Sequence, residues 1–207
     1  MAREIIAGNT RPSEDSDFTD RADSHLEQAA QLEPSSARSL IQLAELIQLA
    51  ELETTLAEQA NDRNERLNRY SKAQETLKRA IAIESSQAGL YLQLASVERD
   101  QFGPAIQKAK AESKRANGPI PDKDWRRELQ QKYGALVDDA ISNAHSAADF
   151  DPPSTRALIL MARLLRERAQ IRDTQQDYEA DMQSASDWQR QFLAAGGHLD
   201  EWEATAK

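Results

Sequence analysis

AISNAHSAADFDPPSTRALILMARLL, residues 140–165, carries two apolar patterns on either side of a pair of prolines. Ala140, Ala144 and Ala147 lie four and then three residues apart, the spacing of one helical face. Pro152 stops such a helix, because it lacks an amide proton and its ring clashes with the preceding turn. Beyond it Leu158, Met161, Ala162 and Leu165 form the apolar stripe of a second helix. The first pattern recurs at Ala22, Leu26, Ala29 and Pro34, and again at Ala73, Leu77 and Ala80, with Ser85 in the terminator's place. The second recurs in the same register, as Leu40, Leu43, Ala44 and Ile47, and as Tyr91, Leu94 and Ala95. Small residues on the first face let a neighbouring helix approach closely. The frame predicts an all-α chain of nested helix pairs.

Composition agrees. Hydrophobic residues make up 39% of the 207, aromatics only 5%, and charged residues 29%. With a mean hydropathy of −0.75, the core must be built by close packing of Ala and Leu rather than around large rings. The net charge of −9 argues against nucleic acid as a partner of the whole surface. No cysteine is present, which excludes disulfides, thiolate metal sites and Cys nucleophiles. The opening MAREIIAGNTRPSED has no apolar signal core. The most apolar run, LIQLAELIQLAEL (40–52), carries Glu45 and Glu51 and does not match the roughly 20 uncharged residues of a membrane span. A cytoplasmic location without membrane insertion is expected, or a periplasmic one if the sequence is a piece of a longer protein.

These patterns resemble tetratricopeptide (TPR) repeats. In that family the first helix of a repeat carries a large residue, a Leu and a small residue. The second carries Ala, an aromatic or Leu, then Ala, with Pro closing the unit. Pro34, Ser85 and Pro152 match the closing position, and the three small-residue triplets match the second helix. The resemblance covers roughly residues 18–170 and implies a right-handed, TPR-like helical-hairpin solenoid. The family period is about 34 residues, whereas 51 residues separate Pro34 from Ser85 and 67 separate Ser85 from Pro152. The longer interval leaves room for a degenerate unit with Phe102, Ala105, Ile106 and Ala109 on its second helix. The shorter one predicts an elongated pair, helices 36–60 and 64–84, each lengthened by about two turns and hinged near Asn61–Asn64.

On the first of these helices Leu40, Leu43 and Ile47 share one face, while Leu49, Leu52 and Leu56 share nearly the opposite one. Two readings stand. Either the helix is buried on both sides, by repeat neighbours and by Leu67 and Tyr70, or the hairpin protrudes and its leucines dock on another chain. Elsewhere the expected organisation is an acidic lead-in over 1–17, repeats over 18–172, and a C-terminal helix and cap over 173–207. Gly118, Pro119 and Pro121 break the chain at 117–121, and Asp122 or Asp124 caps the next helix, whose stripe is Trp125, Leu129 and Tyr133. Helix 155–171 precedes a helix of about 174–195 ended by Gly196-Gly197, with Trp188, Phe192, Leu199 and Trp202 available as a cap. All three tryptophans are expected in core or cap packing.

No catalytic constellation emerges. His25, His145 and His198 form no pair at ligand spacing. No Gly-rich phosphate loop is present, and carboxylates are too plentiful in an acidic helical chain for any pair to stand out. The chain is expected to be no enzyme, with no metal and no cofactor.

Charge is more informative. Residues 1–34 hold three basic and eight acidic side chains, and residues 173–207 hold two and eight. Residues 154–172 carry Arg156, Arg163, Arg166, Arg168 and Arg172 against Glu167 alone. In TPR-like proteins the first helices line a concave groove. The resemblance then places Arg156, Arg163 and Arg166 toward that groove, with Arg99 one unit earlier and Arg38, Ile41, Glu45 and Gln48 on the first such helix. These arginines either form a solvated face paired with the chain's own acidic ends, or grip an acidic or carboxylate-bearing segment. The Lys/Asn clamp of chaperone-tail-binding TPR domains is not reproduced by Ile41, Glu45, Leu92 and Ser96. The expected function is a non-enzymatic protein-protein interaction module or scaffold that binds a peptide or protein surface in the groove. The alternative is a structural subunit, or an excised regulatory or docking domain, of a larger membrane-anchored or enzymatic assembly, held through Leu49, Leu52 and Leu56.

Overall fold

The computed structural model describes residues 34–113, 118–152 and 154–198, with side chains from Ser39 onward. Every regular element among them is helical: α1 (Pro34–Gln59), α2 (Arg63–Ile83), α3 (Ala88–Ser113), α4 (Lys123–Phe150), α5 (Thr155–Gln170) and α6 (Gln175–Ala194). None of these helices is long and apolar enough to cross a membrane. The chain divides into two compact units, Met1–Glu45 and Leu46–Lys207. In the first, Leu43 is buried while Leu40, Ile41 and Glu45 are exposed. The expected helix over 18–32, the acidic lead-in, His25, and the cap residues Leu199 and Trp202 lie outside the described residues.

Local chemistry sets the ends. Pro34 opens α1, where its missing amide proton costs nothing. The Asp62 carboxylate accepts from the Glu65 amide at 2.8 Å and starts α2. Asp122 accepts from the Asp124 and Trp125 amides at 3.0 and 2.9 Å and starts α4 after the Gly/Pro break. Thr174 accepts from the Asp177 amide at 3.0 Å and opens α6. That helix closes on Gly196, whose φ of +90° only glycine adopts freely. The Gly196 amide then reaches Leu193 O at 3.1 Å, and the Gly197 amide reaches Phe192 O at 3.0 Å.

The helices run as three consecutive pairs. Glu53 and Arg69, six residues to either side of the α1–α2 turn, form an ion pair at 3.1 Å that marks those two as antiparallel. The small-residue face is buried as the frame requires: Ala73, Leu77 and Ala80 on α2, and Ala140, Ala144 and Ala147 on α4, are all at most 1% exposed. The main core is formed by Phe102, Ile106 and Ala109 of α3, Leu129, Tyr133 and Val137 of α4, and Met161, Leu164 and Leu165 of α5, closed by Ala185 of α6. Phe192 packs with Leu158 and Ala162 in a smaller cluster. Trp125 and Trp188 are half-buried against the core.

Two expectations are corrected here. The degenerate unit between Ser85 and Pro152 does not exist as a separate helix pair: Phe102, Ala105, Ile106 and Ala109 lie on α3, which runs unbroken through Gly103 and Pro104. An interior proline costs about 3 kcal/mol. Full burial of Phe102 and Ile106 returns about 1.5–3 kcal/mol each, so packing outweighs the local penalty. The interval is therefore one long pair, of 26 and 28 residues. The reading in which α1 is buried on both sides also fails, because Leu49 and Leu52 are 42% and 54% exposed while Leu56 is half-buried.

Candidate functional site: a groove lined by alternate helices

A cavity of about 690 Å³ opens in the second unit. From α1 it takes Ala50, Glu51, Thr54, Thr55 and Glu58; from α3, Leu92, Gln93, Ser96, Val97 and Asp100; from α5, Arg156, Ile159, Leu160 and Arg163. Leu77 of α2 completes it. Each set follows the i, i+3, i+4, i+7 spacing, so each helix presents one continuous face. The three helices are the first members of the three pairs.

Hydrogen bonds hold these walls to each other. Gln93 Nε2 donates to Glu51 Oε1 at 3.2 Å and joins α3 to α1. Arg99 donates through Nε and Nη2 to Glu167 Oε1, at 3.1 and 2.6 Å, and joins α3 to α5. Inside the groove the Thr54, Thr55 and Ser96 hydroxyls donate to carbonyls of their own helices, at 2.8, 2.9 and 2.9 Å. Their proton is spent on the helix backbone, and each hydroxyl oxygen keeps lone pairs that can accept.

The charges divide by wall. Glu51 and Glu58 lie on α1, Arg156 and Arg163 on α5. On α3, burial lifts the Asp100 carboxyl above the usual range, Arg99 at 3.5 Å pulls it down, Glu58 pushes it up, and Arg163 pulls it down again. Burial lowers the Arg163 guanidinium, and Arg99 adds to that, while Glu167 and Asp100 oppose them. Glu167 itself is enclosed, with burial raising its carboxyl against Arg99, Arg163 and Gln107. Its Oε2 meets no hydrogen-bond partner among the described residues.

The arginines expected to converge are separated. Arg156 and Arg163 line the groove. Arg166 turns toward α6 and donates to Gln189 Oε1 at 2.9 Å. Arg99 is bound to Glu167 beside the groove, packed against Gly103. Arg168 and Arg172 close on Asp181 of the acidic C-terminal region at 2.6 and 2.7 Å, and Arg168 also on Asp138. On α1, Gln48 and Glu45 are exposed and do not line the cavity, and the Arg38 side chain lies outside the described residues.

The residues that sequence reasoning missed are the carboxylates. Glu51 and Glu58 sit seven apart, a spacing that marks one face of a helix, but nothing local says that this face looks into a groove. Glu98, fully buried on α3, was also missed. It accepts from Gln74 Nε2 of α2 at 3.1 Å and Asn143 Nδ2 of α4 at 2.8 Å. Burial raises its carboxyl against those bonds. It is a tie between three helices and does not line the groove. His145 is exposed, bonds Asp149 Oδ2 at 2.9 Å and meets the edge of Trp188. Among the described residues no three His, Cys, Asp or Glu side chains are grouped so as to hold a metal ion.

No family model matches the sequence, and no curated protein matches it.

Proposed function

We propose that the chain is a non-enzymatic protein-interaction module of TPR-like design, which holds a peptide or protein segment in the groove between α1, α3 and α5. One observation carries this reading: the first helix of each of three successive pairs contributes a single face to one continuous cavity. The cavity's size and its mixed apolar and polar lining suit a ligand site. A display library of helix-forming peptides of about 14 residues, some 21 Å long, tests it. The library is panned on the chain and counter-selected on a variant whose groove is plugged by Ser96→Trp with Thr55→Trp. Peptides retained by the native chain and released by the plugged one are the expected result. A library that yields none sinks the reading.

A second reading, a structural subunit or docking domain of a larger assembly, draws on the exposure of Leu49 and Leu52. Their stripe lies on the side of α1 away from its groove-lining residues. Leu49→Asp with Leu52→Asp would then abolish assembly in solution while leaving groove peptides bound, which size-exclusion chromatography and the same peptides distinguish.

A further inference from the structure

The groove is charged with opposite signs on its two sides. Glu51 and Glu58 stand on the α1 wall, Arg156 and Arg163 on the α5 wall. Between them α3, bonded to α1 through Gln93 and to α5 through Arg99, supplies Leu92, Ser96 and Val97 as an apolar and neutral floor. That floor ends at the Asp100 carboxylate, which Arg99 and Arg163 flank. Each charged pair is spaced by seven residues, which sets the charges about 10.5 Å apart along the wall. We propose that the occupant is an amphipathic helix whose apolar stripe is flanked by basic residues on one side and acidic residues on the other. This rests on the groove being a binding site and specifies what it takes.

Three observations favour that chemistry. First, a guest helix repeats its own flanking positions at the same two-turn interval, so two cations can meet Glu51 and Glu58 while two anions meet Arg156 and Arg163. An extended strand returns a side chain to the same face at about 6.6 or 13 Å, and neither spacing matches. Second, one charge on each wall is uncommitted: Glu58 and Arg156 are exposed and make no hydrogen bond or ion pair with the described residues, whereas Glu51 accepts from Gln93 and Arg163 lies 3.9 Å from Glu167. Third, a guest of single sign meets repulsion from one whole wall, and like-charge contacts of this kind decide partner choice. Reversing a helix end to end exchanges its flanks, so the occupant can lie in either direction. The claim concerns the presence of both signs, not their order.

The test uses the full chain and three synthetic fluorescein-labelled peptides of about 14 residues sharing one leucine stripe. One has Lys on one flank and Glu on the other, one has Lys on both, and one has Glu on both. In fluorescence anisotropy at low salt the mixed peptide is expected to bind about tenfold tighter than either single-sign peptide. Glu58→Lys should shift the preference toward the all-Glu peptide, and Arg156→Glu toward the all-Lys peptide. Both sites are exposed, and circular dichroism should report unchanged helix content and melting. Equal binding of all three, or tightest binding of a single-sign peptide, overturns the proposal. If none of the three binds but panning returns groove-dependent peptides of another pattern, the proposal fails and the groove reading stands. If panning also returns nothing, both fail.

Discussion

Replacing Arg99 by methionine should be among the most destabilising single changes in the molecule, and the reason lies in its partner. Glu167 and Arg99 have side chains only 8% and 12% exposed and meet at 2.6 Å. Arg99 supplies two charge-assisted bonds to Glu167 Oε1, leaving Gln107 at 3.5 Å and Arg163 at 3.9 Å as the remaining donors nearby. Methionine keeps most of the packing volume and leaves the carboxylate desolvated with weak partners. Breaking a buried pair in this way costs about 3–5 kcal/mol. For a folded region of this size that corresponds to a fall in Tm of roughly 10 °C. The assay is urea unfolding followed by circular dichroism, run for the native chain, Arg99→Met, Glu167→Leu and the double variant. The double variant removes both charges together and should recover most of the loss, so the cycle isolates the coupling. The single variant should also be less impaired at pH 5 than at pH 8. Burial already raises the Glu167 carboxyl, and without Arg99 protonation relieves the buried charge more readily. A cost for Arg99→Met below about 1 kcal/mol, or a double variant as unstable as the single, would refute the claim that this pair is buried and coupled.

Glu98 makes a pH prediction with a definite sign. Its folded pKa is raised by burial, so its contribution to stability is full below the unfolded value of about 4.3 and is lost as pH rises through the folded value. Glu98→Gln removes the charge and keeps only one of the two acceptor oxygens that Gln74 and Asn143 use, and so lowers stability overall. It should nonetheless flatten the fall of unfolding free energy above that pH, measured by urea titration across the range; an unchanged slope contradicts it. At the end of α6, Gly197→Ala should cost about 1–3 kcal/mol because a Cβ there collides with the Phe192 ring. A thermal melt that matches the native chain would show that the ring moves aside freely.

Much of the fold was legible because its signals are local. Prolines and capping side chains act within a few residues, so the starts of α1, α4 and α6 and the double-glycine end of α6 fall within two residues of their sequence positions. The small-residue triplets of α2 and α4 were legible for the same reason, since a helical face is a matter of spacing alone. The continuity of α3 was not. At Gly103-Pro104 every local preference favours a break, and only the burial of Phe102, Ile106 and Ala109 against α4 and α5, absent from any short window, reverses it. The groove was legible by half. Seven residues bring Arg163 back to within about 20° of Arg156, whereas Arg166 ends some 80° away and a turn further on, which is enough to reach Gln189 of α6 instead. Glu51 and Glu58 carried no signal by themselves. Their meaning depends on Arg156 and Arg163 standing across the same cavity, about a hundred residues later in the chain.

The unequal lengths of the pairs and the presence of one groove are compatible because the two features use different parts of each helix. On α3 the lining residues end at Asp100, and the following turns to Ser113 carry Phe102, Ile106 and Ala109 into the core with α4. On α5 they occupy the first turns, Arg156 to Arg163, while Leu164, Leu165 and Ala169 beyond them are buried. On α1 they occupy the last turns, Ala50 to Glu58. Turns at the end of a helix that does not line the cavity can therefore differ in number without disturbing the face it shows to the groove. Pro104 lies four residues past Asp100, so the hydrogen bond it removes is the one to the Asp100 carbonyl, at the edge of the lined stretch, and core packing offsets that loss. The same proline placed at Ser96 would fall within the lining itself.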